Sequence, residues 1–290
     1  MDTEALMKDF TIINSAKKTP LEIDERNYYR SKGAGDAVTK IEEVCKETPD
    51  THVIVYGGDG SVYEAVNAIM NASAWESAEL TVIPFGTGND FVKSFPPESG
   101  VRKKIDLIRF NDKYSANIVN VGFDCDVVRV TEKLKKLKLV RGSIAYAIGV
   151  LATVFHRLGK KFDIEFTLED GSVEYEKGEH LLCVIANGRY YGGGFCCAPN
   201  AELDDGILDV MLVRKISRLR FAKFIGGYKK GLHILPDGTV NPKYKSILIY
   251  KRCKALKLNN VMQLCADGEI IDCQDADISV AHKAITVVTK

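Results

Sequence analysis

Two glycine-rich loops hold the residues of this chain most able to do chemistry, Gly57-Gly58-Asp59-Gly60-Ser61 and Phe85-Gly86-Thr87-Gly88-Asn89-Asp90. Glycine lets backbone N–H groups converge on a ligand with no Cβ in the way, and the N-terminus of a following helix adds partial positive charge. Such a loop suits phosphate. The aspartate inside each loop does not favour phosphate by itself, so its partner is a Mg2+ ion, directly or through water, or a ribose or lipid hydroxyl. One loop alone could be a tight turn with an incidental aspartate. Two of them at two strand ends point to a ligand site.

The familiar motifs fail on spacing. There is no G-x-x-x-x-G-K-[ST], and a dinucleotide fingerprint needs a third glycine where Tyr63 and Phe91 stand. Neither a G-x-S-x-G elbow nor the protein-kinase set occurs. What remains is a nucleotide-phosphate site of another kind.

The elements that must position these loops alternate. Residues 10–13 read as a short strand, and Ala34, Ala37, Val38, Ile41, Val44 and Cys45 recur at helical spacing. Residues 52–56 are a β-branched run ending at the first loop, and Val62, Ala65, Val66, Ile69 and Met70 make one apolar helix face after it. A further strand, 80–83, is closed by Pro84 and opens into the second loop. This pattern predicts a parallel sheet covered by helices, with both loops at the strands' carboxyl ends, where such sheets bind ligands.

From about residue 114 the texture changes to short strand-like runs at 116–121, 163–168, 181–186, 208–213, 246–250, 255–258, 261–265 and 278–280. Helical material is limited to about 130–158 and 218–230. The expected architecture is an α/β nucleotide-binding domain at 1–115 and a mostly antiparallel β domain at 116–280, with 281–290 able to return to the first.

Composition narrows the class. With 290 residues, 46% hydrophobic and 27% charged, the chain is an ordinary globular protein of about two domains. A net charge of +1 gives no reason to expect a nucleic-acid partner. The longest uncharged apolar stretch, 143–155, is thirteen residues, short of the ~20 needed to span a membrane. Asp2, Glu4 and Asp9 and the lack of an apolar core argue against a signal peptide. Eight cysteines without C-x-x-C pairs read as reduced thiols of a cytoplasmic protein.

Taken in order, Gly57-Gly58-Asp59-Gly60-Ser61 with Glu64-Ala65-Val66-Asn67, then Pro84 to Phe91, resemble the diacylglycerol kinase catalytic-domain family, which includes sphingosine kinases and soluble bacterial lipid kinases. The resemblance continues through Gly122-Phe123-Asp124, Asn187-Gly188, Gly192-Gly193-Gly194, Pro199, Leu203-Asp204-Asp205-Gly206 and Asp267-Gly268-Glu269, and so covers nearly the whole chain. It looks like the compact bacterial form.

The resemblance implies transfer of the γ-phosphoryl group of ATP, with Mg2+, to a lipid hydroxyl. It also implies a nucleotide domain like those of NAD kinases and phosphofructokinases, a C-terminal β-sandwich for the lipid, and an active site in the cleft between them. By motif, Gly57, Gly58, Asp59, Gly60, Ser61, Val62 and Tyr63 would cradle the nucleotide phosphates, with Gly86, Thr87 and Asn89 from the second loop. Ser31 matches a nucleotide-contacting hydroxyl position. Asn14 is another such contact, although the family's Asn-Pro followed by Gly is here Asn14-Ser15-Ala16-Lys17-Lys18. Asp59, Asp90 and Asp124 would surround the catalytic Mg2+, and Asp205 with the carbonyls of Glu202 and Ile207 would hold a structural Mg2+. Glu269 is the favoured proton acceptor and Asp267 the second candidate, while Asp-Gly is also a common hairpin turn.

A lipid kinase must reach a membrane surface without spanning it. The basic, apolar segment 133–141 and the cluster Arg214, Lys215, Arg218, Arg220 and Lys223 could lie on anionic lipid at the inner face of the membrane, or be solvated helix faces. A homodimer is compatible with the sequence. The expected acceptor is diacylglycerol, giving phosphatidic acid. Its rivals are a sphingoid base or other lipid alcohol, a soluble sugar or NAD-kinase-like substrate, and a non-catalytic binding role.

Overall fold

The computed structural model describes residues 9–13, 27–33, 35–98, 100–136, 148–149, 153 and 158–290. Its first part is a parallel sheet. Strand β1 (Asp9–Ile13) lies between β2 (Tyr28–Arg30) and β3 (His52–Gly57), and β4 (Glu79–Pro84) flanks β3. Parallel neighbours require a crossover, and the helices α1 (Asp36–Glu47) and α2 (Asp59–Asn71) cover the sheet as that rule demands. Helix α1 buries Ala37, Ile41 and Cys45, one per turn, and α2 buries Val62, Ala65, Val66 and Ile69. These side chains share one core with Val53, Val55, Leu80 and Val82 of the strands.

Two strands here escaped the hydrophobic pattern. The run β5 (Arg102–Phe110) is interrupted by Lys104, Asp106 and Arg109, yet it buries Ile105, Leu107 and Ile108. The short β6 (Lys113–Ser115) pairs with it. Asn67 of α2 is pinned to β6. Its Nδ2 donates to the carbonyls of Tyr63 and Tyr114, at 2.8 Å each, and its Oδ1 accepts the Tyr114 N–H at 3.0 Å.

The second part is mostly antiparallel. It comprises β7 (Ile118–Gly122), α3 (Phe123–Lys136), β8 (Lys160–Leu168), β9 (Val173–Ala186), β10 (Tyr190–Tyr191), β11 (Phe195–Cys196), β12 (Leu208–Arg214), α4 (Arg218–Lys229), β13 (Leu248–Asn259), β14 (Gln263–Ala266), β15 (Glu269–Asp272) and β16 (Ala276–Thr289). The strands run in the order β15-β14-β7-β9-β12-β13-β16. Alternation along β12 builds two cores: Met211 and Val213 pack with Phe221, Phe224 and Tyr228 of α4, while Leu208, Val210 and Leu212 face Phe162, Phe166 and Leu256. The fold is thus an α/β part followed by a β part.

Several boundaries differ from the sequence expectation, each for a local reason. The runs at 246–250 and 255–258 are one strand, β13, because Lys251, Arg252 and Lys254 interrupt its apolar pattern without interrupting its pairing. The run at 278–280 and the segment 281–290 expected to return to the first domain are likewise largely one strand, Ala276–Thr289. Strand β16 bends at a register shift between Ala281 and Ile285, with Lys283 at φ +47. Its start pairs antiparallel with β13, and Thr286–Thr289 pairs parallel with β4, so this one strand belongs to both parts. Helix α3 begins at Phe123, seven residues before the expected start, and most of the remaining stretch to 158 lies outside the described residues.

Among the described residues no helix is long and apolar enough to cross a membrane. All eight cysteines are free thiols, six of them buried. Asn67→Ala removes the partners of two Tyr114 backbone groups, each worth about 1–3 kcal/mol when buried. A loss of at least about 2 kcal/mol in denaturant unfolding is expected, with α2 loosened from β6.

Candidate active site

The two glycine loops leave adjacent parallel strands at the same edge. Gly57 of β3 stands opposite Pro84 of β4, and the Phe85 N–H donates to the Gly57 carbonyl at 2.8 Å. The chains then converge until there is no room for a side chain. A Cβ on Gly86 would lie 2.5 Å from the Gly58 Cα, and one on Gly58 would lie 3.0 Å from the Gly86 Cα. Helix α2 starts at once, at Asp59, and no side chain caps it. Its first N–H groups and its dipole therefore face the loops, an arrangement suited to phosphate.

The residues expected to bind nucleotide divide into backbone and side-chain contributors. Val62 is buried in the core, so only its backbone faces the loop, and Tyr63 packs half-buried against the second core. Thr87 is exposed at the loop tip. Asn89 braces the loop internally: at φ +50 its Oδ1 accepts the Gly86 N–H at 2.8 Å and its Nδ2 donates to the Gly86 carbonyl at 3.2 Å. Ser31 follows β2 at the same sheet edge, where its N–H donates to the Ile13 carbonyl at 3.0 Å and its hydroxyl to the Gly33 carbonyl at 2.9 Å. Asn14 lies outside the described residues.

The three aspartates form a relay of contacts. Asp59 Oδ1 accepts the Phe91 N–H at 3.0 Å, at the start of a short 3-10 turn over Phe91–Ser94. Asp59 and Asp90 both border Gly88, whose Cβ would stand 3.0 Å from Asp59 Oδ2 and 3.5 Å from Asp90 Oδ2. Burial raises the Asp59 pKa, and the Asp90 charge raises it further. Asp90 is buried, paired with Lys93 at 2.6 Å, and accepts the Gly193 N–H at 2.6 Å. From the same glycine turn, the Tyr191 hydroxyl donates to Asp124 Oδ2 at 2.8 Å. Asp124 sits at the start of α3, and burial pushes its carboxyl up to about 6.

Lys93, Tyr191 and Gly193 were given no role from sequence. The signal for Lys93 was its i+3 spacing from Asp90 on a short helical turn. The Gly192-Gly193-Gly194 run was visible, but its target was not.

The Asp267-Gly268-Glu269 motif is both a turn and part of the site. Asp267 at φ +48 and Gly268 at φ +97 make a two-residue turn of the I′ kind between β14 and β15. The Asp267 carboxylate is turned inward and accepts the Ser115 hydroxyl at 2.8 Å, the Ile118 N–H at 2.8 Å and the Ala116 N–H at 3.0 Å. Burial still pushes it up to about 6 against those three bonds. With both oxygens engaged, Asp267 anchors the turn. Glu269 is exposed, and its Oε1 lies 3.6 Å from where a Cβ would stand on Gly60.

The acidic turn at 203–207 is a separate cluster. Asp205 Oδ1 accepts the Ile207 N–H at 3.0 Å and Oδ2 is bonded by Arg252 at 2.6 Å, so both oxygens are engaged by the chain; Glu202 is exposed. Arg252 therefore stands at the carboxylate that was expected to hold a structural Mg2+. Among the described residues no three His, Cys, Asp or Glu side chains group so as to hold a metal ion by themselves.

Residues 11–121 match the family model described as the diacylglycerol kinase catalytic domain, and residues 117–289 match the YegS C-terminal NAD kinase beta sandwich-like domain. The chain belongs to the diacylglycerol kinase family. It is 30% identical over 260 residues to a protein named diacylglycerol kinase from Staphylococcus aureus (strain bovine RF122 / ET3-1), covering 84% of this chain and 76% of that one. A diacylglycerol kinase of Bacillus subtilis (strain 168) is 29% identical over 84% of this chain and 79% of its own length. The alignment with a Shewanella frigidimarina protein named "Probable lipid kinase YegS-like", 33% identical, spans 57% of this chain and 55% of that protein. A crystal structure of a diacylglycerol kinase from Bacillus anthracis str. Sterne shares the fold, with a TM-score of 0.70 over 98% of this chain and 97% of that one at 21% identity. Members of the family are ATP-dependent lipid kinases.

A pH dependence follows from Asp124. Its carboxyl is raised to about 6 in the folded chain, against about 3.9 in an unfolded one. The folded state therefore holds a proton that the unfolded chain releases, and this group's contribution to stability falls as pH rises from about 4 to about 6. Asp124→Asn should remove that component, seen as a smaller difference in Tm between pH 4.5 and pH 6.5 than in the wild type.

Proposed function

We propose that this chain transfers the γ-phosphoryl group of ATP to the hydroxyl of a membrane lipid, and that the lipid is diacylglycerol, giving phosphatidic acid. The observation that carries the reading is Glu269, whose carboxylate stands 3.6 Å from the Cβ position of Gly60, beside the uncapped start of α2. Relatives named diacylglycerol kinase supply the acceptor. We place the division between domains at 115/116, with residues 281–290 returning to the first.

In this reading residues 57–63 and Thr87 hold the nucleotide phosphates. Asp59 and Asp90, side by side at Gly88, would hold a Mg2+ ion, which would supply charge neutralisation there. Lys93, next to Asp90, adds a positive charge at the same place. An alcohol is a weak nucleophile near neutral pH, so Glu269 takes its proton as the new O–P bond forms. The bond from the γ-phosphorus to its bridging oxygen breaks, and ADP leaves. Asp267 holds the turn that aims Glu269, and Asp124 holds Tyr191 and, through it, the glycine turn on Asp90.

The lipid reading has a place to put an apolar tail. A cavity of about 640 Å³ beside α3 and β14 is lined by Val121, Val130, Phe162 and Val261 together with the charged Asp126, Arg129, Lys133, Lys160 and Lys161. We place the reaction at the cytoplasmic face of a membrane, where ATP is available. Of the basic segment at 133–141 only Lys133 and Leu134 have described side chains. In the second cluster Arg214 and Lys215 are paired with Glu176 and Glu179, at 3.5 and 2.5 Å, which leaves less free charge for lipid than the sequence suggested.

The test is transfer of labelled γ-phosphate from ATP with Mg2+ in mixed micelles to diacylglycerol, monoacylglycerol, sphingosine, undecaprenol and a soluble sugar. Label in phosphatidic acid is expected. Label in another lipid replaces the acceptor, and no labelled lipid from folded, ATP-binding protein overturns the reading. Glu269→Gln and Asp59→Asn should each lower transfer about 100-fold or more, with Tm close to wild type for Glu269→Gln because that side chain is exposed. Transfer within about threefold of wild type in either variant removes that residue from the mechanism.

A further inference from the structure

The charges of this chain nearly cancel, but they are unevenly placed. From Arg214 to Tyr250 there are nine lysines and arginines and one acidic residue, Asp237. Asp237 is engaged in its own turn, where it accepts the Thr239 N–H at 2.9 Å and the Thr239 hydroxyl at 2.7 Å. Helix α4 forms the centre of this segment. Arg214 and Lys215, ahead of the helix, pair with Glu176 and Glu179. Among the described residues no carboxylate pairs with Arg220, Lys223, Lys230 or Lys245. Elsewhere exposed lysines are matched, as Lys40 is to Glu43, Lys46 to Glu42 and Lys257 to Glu165.

Helix α4 turns two unlike faces to its surroundings. Phe221, Phe224 and Tyr228 are buried against the sheet, while Leu219, Lys223, Gly226 and Lys230 are exposed and recur at i, i+4, i+7 and i+11 along the other side. Leu219 is 78% exposed, and Leu232, just past the helix, is 54% exposed. Two features work against the helix itself. Arg218 and Arg220 occupy a first turn that holds no acidic residue, although the helix dipole disfavours cations there. Gly226 weakens the helix interior, yet a Cβ on it would meet nothing within 4 Å. Packing explains neither the basic first turn nor the flat middle of the outer face. Local choices that cost stability without a packing return mark function.

We propose that the outer face of α4, with Leu219 and Leu232 as its apolar contacts, is the surface on which this chain lies on an anionic lipid leaflet. The proposal rests on the reading above that the acceptor is a membrane lipid, and it assigns the face that brings the chain to it. An unbroken positive face complements a leaflet that is negative over its whole area. The two exposed leucines fit the acyl boundary of such a leaflet and have no counterpart on a phosphodiester backbone. Each basic residue near an anionic surface adds roughly fivefold to partitioning. The position of the helix agrees. The Phe221 ring packs on Phe123, at 5.1 Å between centroids, and Phe123 precedes Asp124 at the start of α3. Near its other end Lys229 lies over Phe195, at 5.3 Å, next to the glycine turn 192–194. A leaflet on the outer face would thus lie one helix thickness, about 10 Å, from the layer that carries Asp124 and Tyr191.

The test is co-sedimentation of the full chain with vesicles, without nucleotide, so that it is independent of phosphoryl transfer. Vesicles of phosphatidylcholine alone are compared with an equal mixture of phosphatidylcholine and phosphatidylglycerol. Binding is expected to the anionic vesicles only, and to weaken at about 1 M salt, where screening is nearly complete. Arg220→Ala/Lys223→Ala should lower partitioning at least about 10-fold, and Leu219→Ser about fivefold. Arg220→Lys/Lys223→Arg should leave it unchanged. These positions are exposed, so Tm stays close to wild type in each variant. Three results would each overturn the proposal: no binding of the wild type to anionic vesicles, equal binding to both vesicle types, or partitioning of Arg220→Ala/Lys223→Ala within about twofold of wild type. Retention of a duplex DNA oligonucleotide that this double variant loses, with vesicle binding unchanged, would assign the face to nucleic acid and overturn it as well. Vesicle binding that depends on α4, with no lipid labelled in the transfer assay, would keep the surface and remove the kinase reading. Transfer to dispersed short-chain diacylglycerol without vesicle binding would do the reverse.

Discussion

The contact on which the site depends is between two stretches of backbone. Because Gly57 pairs with Pro84 in parallel register, the chains leaving β3 and β4 run on together, and Gly86 meets Gly58 at a distance that admits no Cβ. That approach sets where α2 begins, where Asp59 points, and how Asp90 comes to share Gly88 with it. It also leaves a helix N-terminus with no side-chain cap at the open edge of the sheet. The surface at this edge is built mainly from peptide groups, which are rigid and need no rotamer to be frozen.

Charge placement around that surface is governed by burial and by what each carboxylate already accepts. Asp267 and Glu269 are two residues apart in one turn and meet opposite conditions. The first is turned in and receives three donors from 115–118, and the second is exposed and faces Gly60. Asp90 and Asp124 are likewise held by named donors, Gly193 and Tyr191, both from one loop of the second part. The second part therefore fixes Asp90 of the first along with its own Asp124. Strand β16 reinforces the join, since it pairs with β13 at one end and β4 at the other.

The acidic turn at 203–207 shows how far a motif can be read. Its residue types match a cation site, and one of its carboxylates pairs with a residue 47 positions away, Arg252. Strand register, not the motif, brings that guanidinium to Asp205.

Much of the architecture was legible because its signals are local. Helical spacing marked α1 and α2, β-branched runs marked β3 and β4, and the strand–glycine–helix order placed both loops at the carboxyl edge. Where charges interrupt an apolar run, as in β5 and β13, pairing partners supplied what the pattern lacked, and sequence alone divided or missed the strand. The candidate acidic residues were likewise named from the motifs. Tertiary structure alone decided their states: that Asp267 accepts three hydrogen bonds, that Asn89 braces its own loop, that Lys93 lies on Asp90, and that Arg252 pairs with Asp205. The physical reason is that a residue type specifies which bonds a group can make, whereas burial and distant partners determine which of them it has made.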